Sequence, residues 1–440
     1  MIDPEVLVRA LVDHLPRQRW FGGDEAAAAA LKVLSTETLR GEFPALLQVL
    51  VDVPSHGSRA TYQVLVGLRP AAARDSFLEG KGDAVLGELE SELGTVVAYD
   101  AAMDPELALC LLDRAAPGEQ AERARLLGAD QSNTSVVFDE RLIMKLFRRI
   151  EAGANPDVEV TSALAAAGFD AVPRPFGAWE GGGGHLAVVT EFLAGGADGF
   201  QLALTSLRDL YDAGGDPADA GGDFGPDACR LGAITAQMHL ALAAAFGTSA
   251  ADTGSWADDM DAQLARAPRD GVDAPAVRAL YDGLRGADAG PAIRVHGDFH
   301  LGQVMRTDRG WHVLDFEGEP ARPLAERSRP SSALRDVAGM LRSFHYAAEV
   351  GRREHGGEGD VVHLAMLWEM HNRAEFMHGY LETPGIESVL PTTDDDRGLV
   401  LDAFELDKAV YEIAYEASHR PEWVGIPVSA VQRILEDRNR

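Results

Sequence analysis

Lysine is nearly absent from this chain. Of its 40 basic residues only four are lysines, Lys32, Lys81, Lys145 and Lys408, which leaves 36 arginines. An ammonium and a guanidinium do different work. A lysine retained against this background marks a position where a guanidinium does not serve, which singles out Lys145 and Lys408. Basic charge as a whole is also short: 70 Asp and Glu face those 40 cations, a formal net charge of −30. Nucleic acid is therefore not expected as a partner, because phosphate binding needs clustered Lys and Arg. An anionic membrane surface is disfavoured for the same reason. The balance suits a soluble monomer that handles a neutral or cationic small molecule. Cysteine is scarce too. Neither Cys110 nor Cys229 has a second Cys or a His at metal-ligand spacing, which argues against a thiolate zinc site and a disulfide framework. No run of about 18 apolar residues and no basic-then-apolar leader is found, so the chain is expected in the cytoplasm.

At 440 residues, with 46% hydrophobic and 25% charged residues, the composition is globular and the length exceeds one compact core. The most informative segment is 294–317. It reads Arg-Val-His-Gly-Asp-Phe-His-Leu-Gly-Gln-Val-Met, a short turn, then Gly-Trp-His-Val-Leu-Asp-Phe-Glu. Two aspartates, Asp298 and Asp315, flank one turn. Phosphoryl transfer needs such a pair: one carboxylate orients a hydroxyl and accepts its proton, and another holds Mg²⁺ on the nucleotide phosphates. Gln303 follows Asp298 at the spacing where protein kinases place a metal-binding Asn.

Upstream, residues 1–90 predict a small α+β unit with a helix at 4–15 and strands at 30–39, 45–53 and 60–68. Residues 91–193 predict a β-rich unit with strands at 123–127, 136–138 and 141–147. The loop Gln131-Ser132-Asn133-Thr134-Ser135 is rich in small polar groups; it is either a phosphate cradle or a plain turn. Lys145 interrupts an apolar strand and so needs a partner. Glu159 opens the following helix, and a strand Lys with a helix Glu forms the ion pair that places ATP phosphates in kinases. A strand at 185–193 ends in Glu191-Phe192-Leu193, before the break Ala194-Gly195-Gly196. From 194 to 440 the pattern is mainly helical, with helices at 230–244, 256–264, 334–350, 361–381 and 402–418. The acidic stretches 357–360 and 393–396 read as surface loops. Glu405, Lys408, Tyr411, Glu412 and Tyr415 share one helix face. That face is either a sugar site or an ordinary solvated surface with a Lys408–Glu412 pair.

This order resembles the aminoglycoside phosphotransferase branch of the protein-kinase-like fold, which uses His-Gly-Asp where protein kinases use His-Arg-Asp. His296 to Pro320, Arg335 to Ser343, Gln131 to Ser135, Asn155 to Glu159, Leu406 to Glu412 and Arg420 to Trp423 resemble the bacterial maltokinase group. Within it the match is closest to the maltokinase-like glucosamine kinases. Trp20-Phe21-Gly22-Gly23-Asp24, and His345 where an Asp is common, depart from the maltokinase pattern. The resemblance implies an α+β, bilobal, protein-kinase-like fold with an N-terminal α+β cap (1–90), a nucleotide-binding lobe (91–193) and a helical lobe (194–440). It implies transfer of the ATP γ-phosphoryl group to glucosamine, at O6. The alternatives are a maltokinase giving maltose 1-phosphate, an aminoglycoside phosphotransferase, and a non-catalytic nucleotide-binding regulator. Retention of Lys145, Asp298, Gln303 and Asp315 together speaks against the last. By the same resemblance Asp298 is the base and Gln303 and Asp315 hold Mg²⁺, with Glu317 a further ligand or a support behind them. Ser132, Asn133, Thr134, Ser135, Lys145, Glu159, Glu191 and Leu193 serve ATP. Asp298, His300, Glu405, Lys408, Tyr411, Glu412 and Trp423 face the sugar. His296 braces the loop.

Overall fold

The apolar run along 45–53 is nearly continuous because both faces of its strand are covered. In the computed structural model Ala45–Ser55 is flanked by Lys32–Arg40 and Ser58–Pro70 in an antiparallel sheet. Side chains alternate across a strand. Leu47, Val49, Val51 and Val53 therefore join Leu7 and Leu11 of the helix Pro4–His14 in one core. Leu46 and Leu50 turn into a second core with Met144, Leu146 and Val189. The structure describes residues 2–438 except 56–57, 72–77, 92–93, 128–132, 269, 320–321 and 357–358.

The cap sheet continues through Gly94–Asp100 to Val85–Ser91 at its edge. That hairpin straddles residue 90, so the cap runs past the boundary expected from sequence. A further helix, Pro105–Ala115, capped by the Asp104 side chain, follows it. The second sheet runs Pro175–Gly181, Gly184–Glu191, Leu142–Phe147, Asn133–Phe138, Ala124–Leu126. Buried Gln63 joins the two sheets: its Nε2 donates to Phe147 O at 3.2 Å and Leu186 O at 3.0 Å, while its Oε1 accepts from Gln48 at 2.9 Å. Both sheets belong to one compact unit, residues 1–159 with 173–194; the other comprises 160–172 with 195–440.

The second unit is helical. Gly225–Phe246 lies tight against Asp360–Leu381. A Cβ on Gly232 would stand 2.0 Å from Phe376 O, and one on Gly379 would stand 1.9 Å from Cys229 O. Only glycine allows that approach. Gly225–Phe246 is also the one helix among the described residues long and apolar enough to cross a membrane. Leu231, Ala236 and Leu242 on that helix join the buried core of the unit. The 26-residue helix Asp394–His419 begins earlier than expected. Thr393 accepts from the Asp396 N–H, and Asp394, Asp395 and Asp396 occupy the first turn, where acidic groups complement the exposed N–H dipoles. Residues 393–396 are thus a helix start and not a loop. Beyond those expected, the unit also holds the helices Gly199–Ala213, Ala274–Leu284, Gly425–Arg438 and the single turn Leu324–Arg327.

Candidate active site

The loop carrying Asp298 is held from beneath by Leu334–Glu354. Gly339 of that helix lies against the loop: a Cβ there would fall 2.5 Å from Phe299 O. Asp336, buried on the same helix, accepts from the N–H of His296 at 2.8 Å and of Gly297 at 2.9 Å. It also takes Nε2–H of His239 at 3.1 Å, whose Nδ1 faces the Tyr380 hydroxyl at 2.8 Å. Burial pushes the Asp336 carboxyl up, but the His239 bond and the neighbouring donors outweigh it and hold it below the usual range. His296 Nε2 lies 2.9 Å from Leu314 O, so it must donate there; Nδ1 is left to accept from Asp298 N–H at 3.4 Å. His296 braces the loop, as the sequence suggested.

Asp298 lines a hollow together with Gln263, Glu319, Asp407, Lys408 and Tyr411. Its Oδ1 is 2.9 Å from Lys408 Nζ. Burial alone would raise the Asp298 carboxyl; the Lys408 ammonium, with His300 and His296, holds it instead at about 2. Lys408 also lies 3.6 Å from Glu319 Oε1 and 5.0 Å from the Tyr411 ring centroid. Asp407 behaves oppositely. Burial pushes it up to about 6, against the pull of Arg322, Arg335 and Lys408. Its Oδ1 accepts from Gln263 Nε2 at 2.6 Å. His300 lies beside Asp298, its pKa lowered chiefly by burial, and its Nδ1 accepts from the Gly302 N–H at 3.1 Å.

Gln303 and Asp315 are brought together by a hairpin. Val304–Thr307 pairs with Gly310–Val313, which sets the residue before the first strand against the residues after the second. Leu314 N–H donates to Gln303 O at 2.8 Å, and Gln303 Nε2 donates to Asp315 Oδ2 at 3.2 Å. Asp315 has φ +61°, a left-handed conformation that non-glycine residues adopt at a cost and that clusters at functional sites. The Asp315 carboxylate and the side-chain amide oxygen of Gln303, on residues that touch through the amide nitrogen, are hard donors of the kind a magnesium ion takes. Mg²⁺, when bound, neutralises charge on the β- and γ-phosphates.

The residues expected to serve the nucleotide lie in the first unit where the structure describes them. Lys145 Nζ meets Asp157 Oδ2 at 3.2 Å. Asp157 shares the first turn of Pro156–Ala166 with the expected Glu159, and its N–H is held by Asn155 Oδ1 at 2.9 Å. Sequence reading passed over Asp157; the Asn-Pro-Asp helix start was its signal. Asn133, Thr134 and Ser135 correct the expected loop, because they begin a strand and pair with Phe147, Leu146 and Lys145. Thr134 Oγ1 accepts from Arg148 Nε at 2.8 Å. The Arg148 guanidinium also meets Asp100 at 2.6 Å and lies 5.0 Å over the Trp20 ring. Ser132 lies outside the described residues. Glu191 ends its strand with its N–H on Arg174 O at 2.8 Å, and buried Leu193 follows it.

Two of the expected sugar residues are engaged elsewhere. Glu405 is buried, with both oxygens on Arg373 at 2.7 and 3.0 Å. Glu412 takes Arg342 at 2.6 and 3.1 Å and so does not form the Lys408–Glu412 pair. Both carboxylates brace the helix Asp394–His419 from within. Trp423 lies between the guanidiniums of Arg420 and Arg353, 4.7 and 5.6 Å from its ring centroid. Lys408 and Tyr411 do reach the hollow. Glu319, Asp407 and Gln263 were missed there, although Asp407 stands next to Lys408 in sequence.

Comparison with known proteins gives the family and the fold. The maltokinase N-terminal cap domain family matches residues 14–104, and the phosphotransferase enzyme family matches residues 123–394. The chain is similar to a glucosamine kinase of Streptacidiphilus jiangxiensis, 32% identical over 335 residues, covering 70% of this chain and 73% of that protein. It is similar to a glucosamine kinase of Mycolicibacterium smegmatis, 30% identical over 349 residues, covering 72% and 81%. A solved glucosamine kinase in complex with glucosamine, ADP and inorganic phosphate shares the fold at TM-score 0.70 and 24% identity, covering 99% of this chain and 100% of that one. The chain belongs to the phosphotransferase enzyme family, as a member with a maltokinase-type N-terminal cap and with glucosamine kinases among its relatives.

Proposed function

We propose that this protein transfers the γ-phosphoryl group of ATP to glucosamine, at O6, acting as a cytoplasmic monomer with Mg²⁺. The observation that carries the reading is Asp298, anchored through its loop to Asp336 and opening onto a polar hollow lined by Glu319, Asp407 and Lys408. Asp298 takes the hydroxyl. Glu319 and Asp407 stand on the same wall as acceptors for a protonated amine, and charge-assisted bonds of that kind are the strong ones. Gln303 and Asp315 hold the metal, while Lys145 and Asp157 serve the nucleotide.

One observation favours maltose as a second reading. A neighbouring hollow shares Arg322, Arg335, Phe404 and Asp407 with the first and adds Trp256. A second hollow beside the first offers a place for a second sugar unit, and aromatic rings suit a sugar face. Steady-state assays with glucosamine, glucose, maltose and kanamycin separate the readings. Glucosamine is expected to give the highest kcat/KM; turnover of maltose without glucosamine would overturn the choice.

A further inference from the structure

The loop from Asp298 to Gln303 reads Asp-Phe-His-Leu-Gly-Gln and carries no Lys or Arg. The ammonium that meets Asp298 arrives from position 408, 110 residues further along the chain. Its aim is fixed by the surroundings of its helix. On one side buried Glu405 is locked to Arg373, and on the other Glu412 is locked to buried Arg342. Between them Gln263 Nε2 donates to the Asp407 carbonyl at 2.8 Å. The helix therefore cannot roll without breaking these contacts. At the end of the aimed stem the ammonium meets Asp298 Oδ1, Glu319 and the Tyr411 face. Three acceptors around one point suit a compact ammonium with three rotatable donors, and not a planar fork. In a chain with 36 arginines this is one of only four lysines.

We propose that Lys408 is a positioning residue for phosphoryl transfer: by holding Oδ1 of Asp298 it fixes the rotamer of that carboxylate and leaves the other oxygen to the sugar hydroxyl. The proposal rests on the reading of Asp298 as the proton acceptor. In the step, the hydroxyl oxygen forms a bond to the γ-phosphorus. The bond from the γ-phosphorus to the β–γ bridging oxygen breaks, and its electron pair departs with ADP. The hydroxyl proton passes to Asp298. A carboxylate tied to an ammonium is a weak base, so the proton moves late, which suits a loose transition state with little bond formation to the incoming oxygen. Orientation is then the main contribution of Asp298, and Lys408 supplies it.

The test compares Lys408→Ala, Lys408→Met, Lys408→Arg and Asp298→Asn by steady-state kinetics, with ADP affinity from calorimetry and ethylammonium as an added rescue agent. Lys408→Ala and Lys408→Met are expected to lose about 10²-fold in kcat, with KM for ATP and ADP affinity kept within about threefold. Ethylammonium should restore kcat of Lys408→Ala in a concentration-dependent way, and Lys408→Arg should restore only part of it. Wild-type kcat in either truncated variant, or a loss confined to the sugar KM and untouched by ethylammonium, would overturn the proposal. Lys408→Met keeps most of the stem, so it carries the kcat comparison if the alanine variant fails to fold. Asp298→Asn should be inactive with or without the amine. If it turned over normally, the reading of Asp298 itself would fall, separately from that of Lys408.

Discussion

Asp336→Asn isolates the anchor of the loop that carries Asp298. The native carboxylate is fully enclosed and receives three donors: the N–H groups of His296 and Gly297, and His239 Nε2. Asparagine keeps one acceptor oxygen. Its amide NH₂ must then face either a backbone N–H or the imidazole N–H, so at least one donor loses its partner and meets another donor. A hydrogen bond to a charged group contributes about 1.5–3 kcal/mol, and a buried donor left without a partner costs about 1–3 kcal/mol. A loss of about 3 kcal/mol follows for the substitution. For a unit of this size about 2–4 °C accompanies each kcal/mol, so calorimetry should show Tm lower by about 6–12 °C. The two backbone donors lie immediately before Asp298, so kcat should fall by more than about tenfold. ADP affinity should change little, because Lys145 and Asp157 do not depend on this anchor. A variant with wild-type Tm and wild-type kcat would refute the argument that Asp336 holds the loop.

Lys145→Ala should abolish measurable ADP binding by calorimetry; unchanged affinity would count against the nucleotide assignment. His14 is buried in the cap and its pKa is lowered to about 4, first by burial and then by Arg17 and Arg148, against the pull of Asp100. The folded state holds His14 neutral, whereas the unfolded chain binds a proton below about 6.5. His14 therefore contributes stability above pH 6.5 that is lost as pH falls toward 4, up to about 3 kcal/mol. His14→Phe should flatten that part of the urea-midpoint profile. Gly379→Ala places a methyl 1.9 Å from the Cys229 carbonyl and should lower stability by about 1–3 kcal/mol or more, read from the denaturation midpoint.

Features set by local sequence were legible. Gln303 and Asp315 lie at the two ends of a single hairpin, so motif spacing alone brings them close. Lys145 stood out as a charge in an apolar strand. The five helices expected beyond residue 229 are all present. What could not be read were partnerships across long stretches of chain. A helix wheel places Glu405, Lys408 and Glu412 on one face, but only folding brings Arg373 and Arg342 to claim two of them and Asp298 to claim the third. Asp157 and Glu159 share a helix turn, and the chemistry of an acid at either position is the same. Asn133 to Ser135 carry loop-forming side chains, yet ladder pairing with Leu142–Phe147 prevails over propensity. The cap strand Val85–Ser91 escaped because its register shifts between Val85 and Gly87, which breaks the alternation a strand is recognised by.

The seam between Gly225–Phe246 and Asp360–Leu381 has a genetic consequence. His239 and Tyr380, the relay behind Asp336, sit one on each of those helices. Widening the seam therefore moves the far end of the relay that holds the loop of Asp298. Alleles altered there should yield enzyme that saturates with substrate normally and turns over slowly. Second-site suppressors should arise on the opposite helix, where a smaller side chain lets the pair close again.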